Sequence, residues 1–334
     1  MNLTRWPVGL RLAVLSTPVF GALAAAFAFG PYPLALREVF AALLAGPSAG
    51  DDAATVVWNL RLPRIFAGLL VGMALSAAGA AYQGMFRNPL VSPDILGVSA
   101  GAGLGAALAI LFGLPLIAVQ GAAFAGGLLA VGAVYFVAAQ VRRHDPVLVL
   151  VLAGVAVGTL FGAGISLVKV LADPTVQLPS ITFWLLGGLN AIAPGDLWLA
   201  TPLVAAGLAP MLLLRWRVNL LSLSDEEAAA LGVNVVRLRG LLIVSATLMT
   251  AAAVSIAGIV GWIGLVVPHA ARLLVGPEFS RLLPAALLLG GGFLVAADTL
   301  ARSAAAIELP LGILTALVGA PVFLWLLART GRGG

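Results

Sequence analysis

The sequence contains no cysteine, and only 9% of its 334 residues are charged. The absence of cysteine excludes disulfide bonds, thiolate metal ligands and thiol nucleophiles. Soluble domains carry charge on about a quarter of their residues, so the low charged fraction argues against a water-soluble fold. The composition is instead apolar, with 62% hydrophobic residues and a mean hydropathy of +1.12. It therefore predicts an integral membrane protein.

The sequence also lacks the residues that several kinds of chemistry require. No glycine-rich loop ending in Lys-Ser/Thr is present to hold the phosphates of ATP, and the two histidines, His144 and His269, are far apart in the sequence. We therefore expect no catalytic residue, no metal site and no cofactor in this chain, and we do not expect an enzyme. The net charge of +5 does not predict binding to nucleic acid, because positive charge collects in the cytoplasmic loops of membrane proteins.

Long apolar runs follow one another with short gaps. A helix needs about 20 such residues to cross a bilayer, and its backbone must satisfy its own hydrogen bonds there. We therefore predict an all-α membrane domain over residues 1–334, whose first run is a retained helix and not a cleaved signal peptide. The ten predicted spans lie near residues 10–30, 62–84, 96–113, 116–140, 147–171, 196–214, 238–260, 262–276, 283–305 and 309–328.

Lys and Arg are divided unevenly between the two sides of this arrangement. With the N-terminus inside, alternation of ten spans places 13 of these residues inside and 5 outside. The positive-inside rule then predicts that both termini are cytoplasmic, in a bacterial inner membrane. Residues 34–46 and 179–189 are predicted to be short outer helices, and residues 215–239 form a polar cytoplasmic segment.

Two stretches of the chain echo each other. Residues 76–79 (SAAG) precede Pro89 by the same spacing with which residues 255–258 (SIAG) precede Pro268. The two predicted spans run in opposite directions, which indicates inverted-repeat character of the kind found in transporters. A second interrupted stretch, residues 87–103, is rich in Pro and Gly, and it is either part of a translocation path or a tight loop before a packed helix.

The cytoplasmic segment contains a clear helix start. Ser224 can cap a short helix, with Glu227 at the capping-box position and Gly232 after the last turn. On the residues alone, this helix is either a solvated connector or an element that inserts into a groove on a soluble motor.

Ionisable residues are scarce within the predicted spans. Lys169, Asp298 and Arg302 are expected near the outer ends, where long side chains reach water, and Asp298 and Arg302 are spaced to pair on one helix face. A carrier driven by an ion gradient would be expected to bury a carboxylate in mid-membrane, and the sequence predicts none there.

The order of several short motifs resembles the iron-chelate uptake permease family of the FecCD type. The resemblance covers residues 55–328, and its motifs are Arg61-Leu-Pro-Arg64, Arg87-Asn-Pro-Leu90 with Leu96-Gly-Val-Ser99, Phe183-Trp-Leu185, Ala229-Ala-Leu-Gly232, Gly261-Trp-Ile-Gly-Leu-Val-Val-Pro-His269, Ala297-Asp-Thr-Leu-Ala-Arg302, and Glu308-Leu-Pro-Leu-Gly312 followed by Gly319-Ala-Pro321. It implies a ten-span permease that works as a homodimer with two ATP-binding subunits and a periplasmic binding protein. ATP and Mg would bind to the motor subunits.

The resemblance also implies site residues. Coupling to the ATPase is expected at Ser224, Asp225, Glu226, Ala229, Leu231 and Gly232. Docking of the binding protein is expected at Arg61, Arg64 and Arg302, for which contact with lipid phosphates is the alternative. The path or gate is expected at Gln83, Asn88, Ser99, Val147 and Leu148, although relatives often carry small hydroxyl residues where this chain has residues 145–148 (DPVL).

The same resemblance implies a substrate only as a class. We expect import of an iron complex, haem or a ferric siderophore. Cobalamin or an oxyanion such as molybdate is the alternative within the family, and a secondary transporter driven by an ion gradient is the alternative from another class.

Overall fold

The computed structural model describes residues 7–141, 146–305 and 307–330, and all regular elements of that part are helices. Their order agrees with the predicted all-α fold. The α-helices are α1 Val8–Ala28, α2 Leu36–Ala45, α3 Asp52–Thr55, α4 Leu62–Met85, α5 Val98–Leu111, α6 Leu116–Gln140, α7 Pro146–Leu171, α8 Gln177–Leu186, α9 Pro194–Leu213, α10 Arg215–Asn219, α11 Asp225–Ala230, α12 Val235–Ala257, α13 Ile263–Val275, α14 Phe279–Ala301 and α15 Leu311–Thr330. A π-helix covers Val56–Arg61, and 3₁₀ turns cover Pro93–Leu96 and Leu220–Ser222.

Each predicted span coincides with an apolar helix, but the helices differ in length. Among the described residues, 7 are long and apolar enough to cross a membrane, and three shorter ones lie at Val98–Leu111, Ile263–Val275 and Leu311–Leu326. With 14 residues, α5 is about 21 Å long, which is less than the ~30 Å of a hydrocarbon core. It is preceded by the 3₁₀ turn and by Gly97 in the left-handed region (φ +75°), so the α-helix does not continue toward residue 93. The predicted short helices around residues 34–46 and 179–189 are confirmed as α2 and α8.

Three helices form the centre of the bundle. We compared the most apolar 18-residue stretch of each long helix. Buried residues make up 78% of this stretch in the helix that contains α4, 72% in α12 and 67% in α14, but 28% or less in α1, α6, α7 and α9. The central helices therefore pack against protein on most sides, and the outer helices leave apolar faces uncovered by this chain.

Small residues allow the central helices to approach closely. Along one face of α4, Gly68, Gly72 and Ser76 follow at intervals of four residues and face α14. The Ser76 hydroxyl donates to the Ala286 carbonyl at 2.8 Å, and a Cβ atom at Gly72 would lie 2.2 Å from the Gly290 carbonyl oxygen. Such backbone contact is the usual way in which helices associate in lipid.

The helix that contains α4 begins earlier than the predicted span. α3, the π-helix and α4 follow without interruption from residue 52 to residue 85. Leu62 N–H donates to the Val57 carbonyl, an i→i−5 bond, directly before Pro63. Proline has no N–H and clashes with the carbonyl four residues earlier, so a wider turn accommodates it. Hydropathy does not reveal this extension, because residues 51–64 contain four charged side chains.

The two echoed stretches take different local structures. Residues 76–79 lie within the continuous helix α4, whereas α12 ends at Ala257 and the chain is non-helical until α13 begins at Ile263. The echo therefore does not produce the same helix break twice, and the inverted-repeat relationship stays a prediction.

Candidate functional site

The cytoplasmic segment predicted at residues 215–239 folds onto one end of the bundle. We call the end at which α1 begins the proximal end, and the end at which α1 terminates the distal end. Ser224 caps α11: its hydroxyl accepts from Glu227 N–H at 3.2 Å, and Glu227 Oε2 accepts from Ser224 N–H at 2.9 Å. The predicted capping box and short helix are confirmed.

Asp225 attaches α11 to two of the central helices. Its carboxylate accepts from Arg239 Nη1 and Nη2 at 2.7 and 2.8 Å, and from Arg87 Nη2 at 2.9 Å. Arg239 lies in the first turns of α12, and Arg87 follows the end of α4. One carboxylate therefore connects α11 to both helices.

Arg87 has an unusual backbone conformation. Its φ of +51° lies in the left-handed region, and Asn88 N–H donates to the Gln83 carbonyl at 3.2 Å. This is the helix-ending geometry that glycine favours. The Arg87 side chain holds the turn to α11, because Nε donates to the Leu221 carbonyl at 2.7 Å in addition to the Asp225 contact.

The residues predicted to couple to the ATPase all face outward. Ser224, Asp225, Glu226, Ala229, Leu231 and Gly232 are exposed, whereas Ala228 is buried beneath them. Gly232 has a φ of +82°, and Val233 N–H donates to the Ala228 carbonyl at 3.1 Å. This turn leaves Leu231 61% exposed, so an apolar side chain projects from a polar surface.

The pKa of Asp225 is lowered, first by the hydrogen bond from Arg239 and further by the positive charges of Arg239 and Arg87. The pKa of Glu227 is lowered as well, chiefly by the Ser224 backbone N–H. A carboxyl with a lowered folded-state pKa stabilises the fold above its unfolded pKa of about 4, and this contribution is lost as the pH falls through the folded value.

We expect α11 to loosen as the pH falls below about 4. Asp225→Asn should cause a similar loosening at neutral pH, because it removes the charge that both arginines contact. Exposed ion pairs contribute little to stability, so we expect amide exchange over residues 225–233 to be only a few-fold faster. Hydrogen–deuterium exchange checks this, with Glu226→Gln as the matched control. Equal exchange in both variants would show that the ion pairs do not hold the helix.

A cavity of about 550 Å³ lies beside this segment at the proximal end. Arg87, Asn219 and Glu278 form part of its wall, and Gln83 and Arg272 form another part. Gln83 is fully buried; its amide donates to the Leu265 carbonyl at 3.0 Å and accepts from Arg272 at 3.3 Å. The predicted path residue Gln83 thus connects α4 to α13 beneath the cavity.

The other predicted path residues lie on several different segments of the chain. Asn88 is exposed and accepts from Leu90 N–H at 2.9 Å, and Ser99 donates to the Asp94 carboxylate. Val147 is half-buried and Leu148 exposed at the start of α7, while Asp145 lies outside the described residues. The path or gate role of these five residues stays a prediction.

Asp94 is an exposed carboxylate close to two of the predicted spans. It begins the chain segment that leads to Gly97, and a Cβ atom at Gly97 would lie 3.5 Å from Gly158, near the middle of α7. The hydropathy pattern hid Asp94 because it lies between two predicted spans. The expectation that no carboxylate lies in mid-membrane stays a prediction, and Asp94 is the residue at which to test an ion-driven carrier.

The distal end carries a cluster of arginines and carboxylates. Arg64 donates from Nε to both oxygens of Asp298 at 3.0 and 2.9 Å, and from Nη2 to Asp298 Oδ1 at 2.8 Å. Its Nη1 and Nη2 atoms also contact Glu308 at 2.9 and 3.1 Å. The predicted pair of Asp298 and Arg302 is present, with Nε and Oδ2 3.7 Å apart.

Arg61 and Arg302 were expected to be accessible at helix ends, but both are buried. Arg61 and Arg302 are only 4% and 7% exposed, and Asp298 is buried with them. Arg61 donates to the Phe27 and Tyr32 carbonyls, and Arg302 donates to the Ala26 carbonyl. The last carbonyls of α1 have no partner within the helix and lie at its negative end, so guanidinium groups satisfy them there. The docking role of the three arginines stays a prediction.

One buried polar pair, Gln120 and Asp196, was not predicted from the sequence. Gln120 in α6 donates to Asp196 Oδ1 at 2.9 Å, and Asp196 Oδ2 accepts from Ala193 N–H at 2.8 Å. Asp196 thus caps α9 and joins it to α6 at the distal end. A capping pattern would have indicated the local bond, but not the partner 76 residues away.

The bundle of apolar helices, with its short broken segments and a capped helix projecting from one end, defines a multi-pass membrane protein of the transporter type. Residues 5–329 match the FecCD transport family, and the chain belongs to this family.

Individual relatives agree with this assignment. Over 63% of this chain, the sequence is 48% identical to a cobalamin import system permease protein of Halobacterium salinarum, and the match spans 56% of that protein. Over 62% of this chain, it is 44% identical to an iron chelatin transport system permease protein of Helicobacter pylori, and the match spans 63% of that protein. The match thus covers less than two thirds of each relative.

A solved structure matches more completely. It is described as an inward-facing conformation of a metal-chelate type ABC transporter, has 35% sequence identity and a TM-score of 0.86, and the match covers 95% of this chain and 98% of that one. The helix order and packing described above are therefore those of a known transporter architecture.

Proposed function

We propose that this chain is the membrane-spanning permease of a binding-protein-dependent ABC importer. Two copies would work with two ATP-binding subunits and one periplasmic binding protein in a bacterial inner membrane, with both termini cytoplasmic. ATP and Mg would bind to the motor subunits. Family membership and the likeness to a metal-chelate type ABC transporter support this proposal.

The observation that carries the proposal is the attachment of α11. A short capped helix presents Leu231 and polar groups outward, while Asp225 connects it to α4 and α12 through Arg87 and Arg239. A motor subunit that grips α11 would move the two most buried spans together. ATP binding would shift the permease between two states because the motor contacts α11 differently in each state.

For the substrate, we propose an iron complex such as haem or a ferric siderophore. One relative is named for iron chelatin transport and another for cobalamin import, so cobalamin is the nearest alternative, followed by an oxyanion such as molybdate. Passage between two copies, lined by weakly binding small and apolar groups, would leave selection to the binding protein.

At the distal end, we propose that the binding protein docks over the arginine cluster. Glu308 is the most accessible member, with 38% of its side chain exposed against 15% for Arg64. An acidic group on the partner would therefore compete with Glu308 for Arg64. Such an exchange favours fast, salt-dependent association more than tight binding.

The decisive experiment is ATP hydrolysis by the chain reconstituted with its motor subunit. We expect stimulation by the binding protein loaded with one of four ligands: ferric siderophore, haem, cobalamin or molybdate. Leu231→Asp should reduce the stimulation by about tenfold, because a charge replaces the apolar contact in the motor groove. Val236→Asp, at an exposed apolar site of the same cytoplasmic segment but outside α11, is the matched control.

The ion-driven alternative gives a different result in the same vesicles. Uptake that continues without ATP, collapses with a protonophore and is lost in Asp94→Asn would overturn the importer proposal. Uptake that requires ATP and tolerates the protonophore supports it.

A further inference from the structure

A long apolar groove lies on the outside of the bundle between α6 and α12. Its volume is about 490 Å³. The residues on which the argument depends are Leu128, Gly132 and Tyr135 on α6, and Gly240, Val244 and Leu248 on α12. Val244 is 63% exposed, so this chain leaves the groove open toward the membrane.

Two glycines keep the groove open. A Cβ atom at Gly132 or at Gly240 would meet nothing within 4 Å. These positions therefore differ from Gly72 and Gly79, where the backbone of another helix takes the place of the side chain. At Gly132 and Gly240 the missing side chains leave space that a separate molecule can fill.

A positively charged residue precedes the groove residues on α12. Arg237 is exposed in the first turn of α12. It precedes Gly240 by three residues and Val244 by seven, so all three lie on one face of the helix. Arg239 lies on the other side of the helix, where it binds Asp225. The two arginines thus lie on different surfaces, and helical spacing places Arg237 about one turn before Gly240, toward the proximal end of the groove.

The dimensions of the groove restrict its occupant. From Gly240 to Leu248 the helix rises about 12 Å, so 490 Å³ corresponds to a mean section of about 40 Å². A helix about 10 Å wide needs about 80 Å². A helix could therefore lie over the open side of the groove but not fill it, whereas a flexible hydrocarbon chain can lie within it.

We propose that this groove binds one acyl chain of an anionic phospholipid, whose phosphate is held by Arg237. The apolar walls match the chain, and the arginine toward the proximal end matches the head group. Basic side chains beside spans are the usual contacts of anionic lipids. Because α12 also carries Arg239, a bound lipid would stabilise the helix that is attached to α11.

The test uses the purified full-length chain without any partner, so its result does not depend on the proposed importer function. Native mass spectrometry would measure binding of phosphatidylglycerol and phosphatidylcholine at several concentrations. We expect tighter binding of phosphatidylglycerol. Arg237→Gln should weaken it by about fivefold, as one arginine contact with an anionic lipid surface contributes.

Filling the groove tests the acyl-chain contact. Gly240→Leu and Gly132→Leu place a side chain into the open space from opposite walls, and each should weaken phosphatidylglycerol binding by about tenfold, since methylene burial drives lipid affinity. Gly121→Leu is the matched control, because a Cβ atom there also meets nothing within 4 Å and it lies on α6 outside the groove. Arg217→Gln, an exposed arginine after α9, is the control for charge.

Three outcomes would overturn the proposal. Unchanged binding in both leucine variants would show that the groove is not the site. Equal affinity for the two lipids, unaffected by Arg237→Gln, would show that no anionic head group is recognised. A dimer that forms through the groove and excludes lipid would assign the surface to a second copy. If one leucine variant fails to fold, the other still decides the result.

Discussion

Replacement of Arg64 by methionine is expected to destabilise the folded protein by about 3–5 kcal/mol, the usual cost of removing one partner of a buried ion pair. The side chains of Arg64 and Asp298 are only 15% and 6% exposed. Without Arg64, the Asp298 carboxylate keeps only Arg302, at 3.7 Å, and stays buried. Equilibrium unfolding in mixed detergent micelles would measure the change.

A more exposed ion pair provides the matched control for Arg64→Met. Arg281 pairs with Glu278 at 2.7 Å, but their side chains are 44% and 32% exposed. Arg281→Met should therefore cost less than about 1 kcal/mol. In a double-mutant cycle, Arg64→Met with Asp298→Met should cost less than the sum of the single variants, because no unpaired carboxylate remains. Equal losses for Arg64→Met and Arg281→Met would contradict the buried-pair interpretation.

This prediction affects how docking is studied. A variant of Arg64 or Arg302 that fails to bind a partner protein could do so because the distal end is no longer folded. Glu308→Gln is the more informative change, since Glu308 is partly exposed and its removal frees part of Arg64. We expect that variant to stay folded.

A second large effect is expected at Gly79. A Cβ atom there would lie 1.8 Å from the Gly264 carbonyl oxygen and 2.7 Å from its carbon. Both atoms belong to the backbone of α13, so no side-chain rotation can relieve the clash, and the two helices must separate. We expect Gly79→Ala to cost about 3 kcal/mol or more, at the upper end of overpacking effects. Thermal unfolding of the purified protein would measure it.

Gly121→Ala is the control for this substitution. No atom lies within 4 Å of the added methyl group, and alanine is favoured over glycine within helices by about 1 kcal/mol. This variant should be neutral or slightly more stable. If Gly79→Ala unfolds at the same temperature as Gly121→Ala, α4 and α13 do not meet at these glycines.

Most of the confirmed predictions about the fold depended on local sequence patterns. The ten apolar helices, the surface helix α2 and the capping box at Ser224 depend on hydropathy or on residues three or four apart, and each is found where it was expected. The ordered motifs led to the family to which the chain belongs. The helical extension before Pro63 was missed because its residues are too polar to register as a span.

The partners of charged residues could not be predicted in the same way. Arg64 and Asp298 are 234 residues apart, and Arg87 and Asp225 are 138 apart. Arg61 and Arg302 were expected at the surface, because a charge in a helix-end motif resembles an exposed one when the α1 carbonyls that receive it are unknown. The role of the stretch that contains Asp94, residues 87–103, was left open for a similar reason, because the sequence does not show that the chain after Asp94 lies against α7.

The sequence by itself determined that this protein is a membrane protein, which of its segments are helices and where α11 starts. These properties follow from transfer free energies and from hydrogen bonds between near neighbours. Only the tertiary structure decided which arginines are buried, that Asp225 joins α11 to two central helices, and that glycines leave a groove open beside Arg237. These properties depend on contacts between helices that are distant in the sequence. The free energy of each contact is set by both partners, so neither local segment predicts it alone.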